Sequence, residues 1–279
     1  MEKRKIWFIT GAARGLGLSL ARHVLAQGDA VAATSRTRES LHQAFGTDSD
    51  RFLALEVDLV SQASVKEAID ATVATFGRID VVVNNAGYAQ FGTIESLSDA
   101  ELRSNFDVNV FAPLHVLRHA LPHLRKQRSG HIINIASITG FQGGYAGWGS
   151  YVASKFALAG LTESLAAEVA ELGIRATVVY PGPTRTGFLS KQSLLTAQNT
   201  PTDYGAARAS LELHLNELDG RQAGNPDKLA LLIIQAANVD NPPLHLFCGT
   251  IANQLAQEKM AAVNDDLECW KGTAESTDY

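Results

Sequence analysis

Short apolar runs alternate with longer stretches of helical periodicity along this chain. Runs rich in β-branched and aromatic residues fall at 6–10, 30–35, 52–57, 79–83, 131–136 and 174–180, with a seventh at 244–247. After the first run, Leu16, Leu20, Val24 and Leu25 repeat at helical spacing. Residues 65–76 form an amphipathic pattern that Gly77 is placed to end. Helical material fills 97–128, and a long helix is predicted over 151–172. Strands that alternate with helices imply right-handed βαβ units. The expected fold is α/β: a doubly wound, Rossmann-type, seven-stranded parallel sheet with helices on both faces.

The rhythm breaks once. From residue 183 to about 225 no strand signal continues the alternation. This stretch holds Gly187, Thr200, Pro201 and Gly224, with one predicted helix at 206–218. A long insertion after a strand's carboxyl end lies where doubly wound sheets bind ligands. It therefore reads as a substrate lid, with a plain surface excursion as the alternative. Past residue 257 the chain carries six acids and two lysines. That end reads as an acidic solvated tail, helical to about Trp270.

Composition narrows the class. The 279 residues are 46% hydrophobic and 19% charged, enough to bury the core of one domain and too apolar for wholesale disorder. The net charge of −5 disfavours a nucleic-acid partner. Cys248 and Cys269 are too few for a disulfide framework or a four-ligand zinc site, so a reducing cytoplasm is the expected home. No run is long and apolar enough to read as a signal or membrane segment. His115, His119 and His123 share a helical spacing, but Pro122 interrupts the stretch and no acid or cysteine joins them. No metal site is expected.

Thr10-Gly11-Ala12-Ala13-Arg14-Gly15-Leu16-Gly17 lies between the first strand and the first helix. Gly11 suits a tight turn, Gly15 lets the backbone approach a pyrophosphate, and Gly17 lets the helix pack closely on the sheet. The helix N-terminus would then offer free N–H groups to phosphates. After the second strand comes Arg36, with no acid before Glu39. An NAD site commonly has an acid there for the ribose 2′-hydroxyl. Arg36 could instead pair bidentately with a 2′-phosphate, and Arg14 could add a second positive group. NADP(H) is favoured over NAD(H).

Tyr151 and Lys155 stand at i and i+4 on the longest helix and share a face. A phenol titrates near 10 and must fall by ~3 units, worth ~4 kcal/mol, to exchange protons near neutrality. An ammonium ~4.5 Å away supplies ~3.7 kcal/mol at an effective dielectric near 20. Alone the pair is weak evidence, since a buried tyrosine beside a snorkelling lysine is ordinary packing.

Taken together, these ordered motifs resemble the short-chain dehydrogenases/reductases. They are Thr10-Gly11-x-x-x-Gly15-x-Gly17, Asp58-Leu59, Asn84-Asn85-Ala86-Gly87, Asn109, Ser137, Tyr151-x-x-x-Lys155 and Pro181-Gly182. The look is closest to carbonyl reductases and hydroxysteroid-type dehydrogenases. The resemblance implies that Asp58 and Leu59 flank the adenine and that Asn85 lies by the ribose, with Leu16 and Gly87 also at the cofactor. It implies that Ser137 holds the substrate oxygen and Tyr151 exchanges its proton. Lys155 would bind the nicotinamide ribose and lower the tyrosine pKa, and Asn109 would anchor a water relay. Past Pro181 and Gly182, Thr184 and Thr186 would orient the carboxamide. It also implies a homodimer or homotetramer, built on the helices of 97–128 and 151–172.

Ser137 and Tyr151 are 14 residues apart where most members of that family have 13. The extra residue is expected at Gly143-Gly144, with Thr139 as the fallback hydroxyl. Phe141, Tyr145, Trp148 and Phe188 are the expected wall for a hydrophobic substrate. The expected reaction moves a hydride between NADP(H) and a ketone, aldehyde or secondary alcohol. An NAD-linked alcohol dehydrogenase and a non-catalytic cofactor sensor are the rival readings. The sensor has no need of the whole Asn–Ser–Tyr–Lys set.

Overall fold

The computed structural model describes residues 4–190, 193–198 and 201–279. In chain order the elements are β1 (Ile6–Ile9), α1 (Gly15–Ala26), β2 (Ala30–Ser35), α2 (Arg38–Phe45), β3 (Phe52–Glu56) and α3 (Gln62–Phe76). Then come β4 (Val81–Asn84), β5 (Ala89–Phe91), α4 (Asp99–Phe106), α5 (Ala112–Gln127), β6 (Gly130–Ile135) and α6 (Gly149–Val169). The chain closes with β7 (Ile174–Pro181), β8 (Leu194–Thr196), α7 (Gly205–Glu212), α8 (Pro226–Ala237), β9 (His245–Cys248) and α9 (Thr250–Glu275).

Seven strands form one parallel sheet in the order β3-β2-β1-β4-β6-β7-β9. This is the Rossmann-type sheet expected from the alternation. Successive side chains of a strand face opposite sides, and β1 shows both faces at work. Trp7 and Ile9 pack with Leu20 and Val24 of α1 and Ile233 of α8. Phe8 faces the other way, into Val65 and Ile69 of α3 and Val116 and Leu124 of α5. The strand order reverses beside β1 and β4. The crevice at their carboxyl ends is the switch point where such sheets bind ligands.

Local chemistry sets the helix ends. Ser61 caps α3 by accepting from Ser64 N, and Gly77 ends it in the left-handed region at φ 80°. Ser98 and Glu101 form a reciprocal capping box on α4. Between α4 and α5 the helix widens into a π turn, Asp107–Phe111. Pro122 does not interrupt α5, contrary to expectation. It lies on the exposed side, where water can take the Arg118 carbonyl freed by the missing N–H.

Three further expectations change. Residues 183–225 do contain a strand: β8 pairs in parallel with β5, as a two-stranded sheet apart from the main one. Three-residue strands are too short for periodicity to reveal. The predicted helix at 206–218 is α7 followed by a π-helical segment, Leu213–Leu218. The acidic end is helical beyond Trp270, to Glu275, and every residue from 260 onward is exposed. Thr200 lies outside the described residues. Among the described residues no helix is long and apolar enough to cross a membrane, and no three His, Cys, Asp or Glu side chains group as a metal site.

Candidate active site

The glycine loop is built around Thr10. Its hydroxyl donates to Val83 O at 3.3 Å and accepts from Asn85 N at 2.9 Å and Ala86 N at 3.0 Å. These bonds tie the end of β1 to the chain leaving β4. Gly11 and Gly15 have φ of 66° and 56°, where a side chain would be strained. A Cβ on Gly17 would lie 2.5 Å from Asn85 Nδ2 and collide with Gly11 O. Helix α1 begins there with no side-chain cap and no acid in its first turn. Its first N–H groups are left for an anion from outside. The Asn85 amide donates to Thr10 O at 2.9 Å and Gly11 O at 3.1 Å, so in this state it braces the loop.

Around the loop lie the other expected cofactor residues. Thr186 faces Gly15, its Cβ 3.5 Å from where a Cβ on that glycine would sit. Gly182 N donates to Cys248 O at 3.0 Å, and Thr184 Oγ1 donates to Gly182 O at 2.9 Å. These bonds shape the turn after Pro181. Arg36 is exposed at the carboxyl end of β2, and Thr34 beside it has a buried hydroxyl with no partner. Asp58 is exposed and accepts from Val60 N at 3.0 Å, while Leu59 is half-buried.

Ser137, Tyr151, Lys155 and Asn109 are brought to one place from β6, α6 and the π turn. The Ser137 side chain lies close enough to the Tyr151 phenol to act on its titration. Thr139 is not the hydroxyl that meets the tyrosine. Its N–H donates to Ser137 Oγ at 3.2 Å, and its own Oγ1 is buried without a partner. Gly143 and Gly144, where the extra residue is expected, are both exposed. Lys155 is 4% exposed and gives one of its three donors to Ile135 O at 2.8 Å. Its Nζ stands 5.8 Å from the Tyr151 ring centroid. A Cβ on Gly87 would lie 3.4 Å from that Nζ and 3.0 Å from Asn109 Oδ1, so glycine leaves the ammonium approachable.

Without a ligand the expected lowering of the tyrosine pKa is absent. Burial pushes Tyr151 up to about 12, and the Ser137 side chain opposes this only in part. Burial also pushes Lys155 down to about 8. The ammonium is turned to the Ile135 carbonyl, and desolvation wins.

Asn109 is fully buried in the π turn, a distortion frequent at functional sites. Its Nδ2 donates to Tyr88 O and Ser154 Oγ, both at 3.0 Å, and its Oδ1 accepts from Tyr88 N at 3.1 Å.

An apolar cluster covers the tyrosine. Phe188 lies 5.6 Å and Trp148 6.2 Å from the Tyr151 ring, and Tyr145 packs at its margin. Phe141 does not join them. It packs on Tyr180 and Phe247 at 5.7 and 5.0 Å, in the core beneath α9. Its place just past the 3₁₀ turn Ile138–Gly140 directs it there. Residue spacing missed Phe91, which meets Trp148 edge-on at 5.4 Å, and Ser210, which accepts from Trp148 Nε1 at 3.0 Å. Neither carries a local signal: Phe91 lies in a three-residue strand, and Ser210 is remote in sequence.

The residues present fit a dinucleotide. They offer an uncapped helix start, a loop only glycine can form, a facing Thr186 and two unused ammonium donors. They also offer paired hydroxyls at which a carbonyl oxygen could be held.

Comparison with known proteins agrees. A family model described as short chain dehydrogenase matches residues 5–194. An oxidoreductase of Botryotinia fuckeliana, BOA17, is 34% identical over 96% of this chain and 97% of its own length. A 3-ketodihydrosphingosine reductase of Bacteroides thetaiotaomicron is 33% identical over 94% of each. A solved short-chain dehydrogenase from Streptomyces avermitilis superposes with a TM-score of 0.91 at 33% identity, covering 99% of this chain and 100% of that one. A 3-ketoacyl-(acyl-carrier-protein) reductase from Brucella melitensis, solved with NADH, has a TM-score of 0.71 at 26% identity, covering 87% and 95%. ElxO, solved with NADP, has 0.72 at 27%, covering 88% and 96%.

Proposed function

The chain belongs to the short-chain dehydrogenase family, and on that premise we propose that it moves a hydride between NADP(H) and a hydrophobic ketone, aldehyde or secondary alcohol. The observation that carries this reading is the Ser137 hydroxyl set against a buried Tyr151, with a buried lysine one helical turn on. The bound dinucleotide supplies the hydride, and its oxidised ring adds positive charge. The glycine loop and the start of α1 hold the pyrophosphate, with Asp58 and Leu59 at the adenine. Lys155 turns its two unused donors to the nicotinamide ribose.

Ser137 and Tyr151 hold the substrate oxygen by their hydroxyls. In reduction Tyr151 gives its proton to that oxygen. A phenol near 12 is protonated at neutral pH, the state this step requires. In oxidation the proton passes the other way, and the charge of Lys155 must then outweigh burial. Asn109 anchors the proton relay. Its side-chain groups are engaged by Tyr88 and Ser154, which leaves the main chain of the widened turn to hold water.

Residues 183–225 act as the substrate lid. Phe188 comes from this segment, and Trp148 is joined to it through Ser210. Apolar packing around the tyrosine supports a hydrophobic substrate. Relatives solved with NADH and with NADP leave the preference to this chain's own residues, and the absence of an acid before Glu39 favours NADP(H). Exposed Phe111 and Phe156, beside α5 and on α6, support a homodimer or homotetramer.

The test is substrate-dependent oxidation of NADPH over a panel of apolar ketones, with wild type and Arg36→Asp. The substitution should weaken NADPH binding by about 10- to 150-fold and leave NADH much less affected. A protein that binds no NADPH and turns over no ketone sinks the reading. An unchanged NADPH/NADH preference removes Arg36 from it.

A further inference from the structure

Gln222 is 4% exposed, and neither its side-chain oxygen nor its nitrogen has a hydrogen-bond partner. Among the described residues it is the one buried amide with both ends unmet. An amide removed from water without compensation is rare in native structures and costly to keep. Loose packing does not explain it, because the backbone around Gln222 is firmly held. Its carbonyl accepts from Arg185 Nε at 3.1 Å. Two residues on, Gly224 N donates to Pro183 O at 2.9 Å and Gly224 O accepts from Arg185 N at 2.8 Å. These bonds make a parallel bridge between Thr184 and Gly224. A Cβ on Gly224 would fall 2.7 Å from Pro183 O, so glycine is what lets the two segments close this far.

The bridge fastens the returning end of the lid to the stretch that leaves β7. That stretch runs on to Thr186, which faces Gly15 of the glycine loop. Gln222 therefore stands at the cofactor end of the lid. The apolar cluster over Tyr151 is made by other lid residues, Phe188, Leu211 and Leu218 among them.

We propose that Gln222 binds the carboxamide of the nicotinamide ring. A primary amide presents a donor and an acceptor side by side, and so does a carboxamide. The pair satisfies one of each on both partners. A phosphate would answer only the donors of Gln222. The adenine edge and the ribose hydroxyls also offer both a donor and an acceptor, but the adenine is placed at Asp58 and Leu59 and the nicotinamide ribose at Lys155. That leaves the carboxamide for the Thr184–Gly224 end of the lid. The assignment rests on the hydride-transfer reading and adds a side-chain contact from the lid. It also makes cofactor binding the event that relieves an unmet buried group in the lid.

Gln222→Met keeps the length and removes both polar atoms. Three quantities test it: the melting temperature of the cofactor-free protein, the Kd for NADP, and the Kd for the 3-acetylpyridine analogue of NADP. The analogue carries a methyl ketone in place of the carboxamide and has no N–H to give. The variant should melt no lower than wild type, because an unmet amide has become an apolar group. Its Kd for NADP should rise about tenfold, and the wild-type preference for NADP over the analogue, also about tenfold, should fall below about twofold. Equal loss of affinity for both cofactors with a lower melting temperature means a structural role and overturns the assignment. So does a variant that keeps the wild-type preference. A wild-type protein that binds neither cofactor overturns the hydride-transfer reading itself.

Discussion

Lys155 is buried with one acceptor, Ile135 O, and its ammonium stands near about 8 where a free lysine stands at 10.5. Desolvation is the cause, and it sets a sign. Above 10.5 the group is neutral in folded and unfolded chains alike. As pH falls toward 8 the unfolded chain takes up the proton first, so the cofactor-free fold loses stability, by about 3 kcal/mol at neutrality. Lys155→Met removes that loss at pH 7. We expect the cofactor-free variant to melt above wild type by about 6–12 °C, at about 2–4 °C per kcal/mol for a chain this large, while NADPH binding weakens and turnover is lost. A lower melting temperature at pH 7 would mean that the lysine stabilises the free enzyme. Tyr151 shows the same conflict. Its proton chemistry needs positive charge close by, and the ligand-free site offers burial instead.

At the scale of elements, β5 and β8 pair at the edge of the site and carry the lid against α6. Helix α7 is joined to that helix through Trp148 and Ser210. These contacts are few beside those of the main sheet, so the lid is the part expected to open locally. Amide exchange over 205–218 should be fast in the free protein and slowed when NADPH and a ketone are both present. Exchange equally slow in both states would contradict the lid. The seven sheet strands were legible because each is a short, largely apolar run, buried in all but β9. The chemical motifs were legible because glycine loops and i, i+4 pairs impose short-range spacing. The π turn at Asn109, the β5–β8 pair and the unmet amide of Gln222 were not. Each depends on tertiary contacts between residues distant in sequence. Phe141 was misplaced for a related reason: an aromatic residue near the site reads as pocket wall, and only the turn after Ser137 shows which way it points.

For the whole molecule, stability in acid turns on His131, buried between β6 and β7 with Nε2 2.9 Å from Thr177 Oγ1. Burial first, then Lys5 and Arg175, lowers it from 6.5 to about 4. A lowered value means stability that is present above 6.5 and lost as pH falls through 4. The loss is about 3 kcal/mol in all. His131→Gln should flatten the decline in melting temperature between those pH values, and an unchanged decline would place the acid sensitivity elsewhere. The active site itself is assembled from β1, β4, β6, α6 and β7, which only the complete sheet brings together. The step on which the proposed reaction depends is proton transfer by the Tyr151 hydroxyl. Tyr151→Phe removes one oxygen and leaves the glycine loop, Lys155 and the packing of α6 in place. The most direct measurement is the single-turnover rate of ketone reduction by this variant, with NADPH affinity measured on the same sample. NADPH should bind close to wild type, and the rate should be lower by at least about 10²-fold. A variant that binds NADPH normally and keeps more than about a tenth of the wild-type rate would contradict proton transfer by Tyr151.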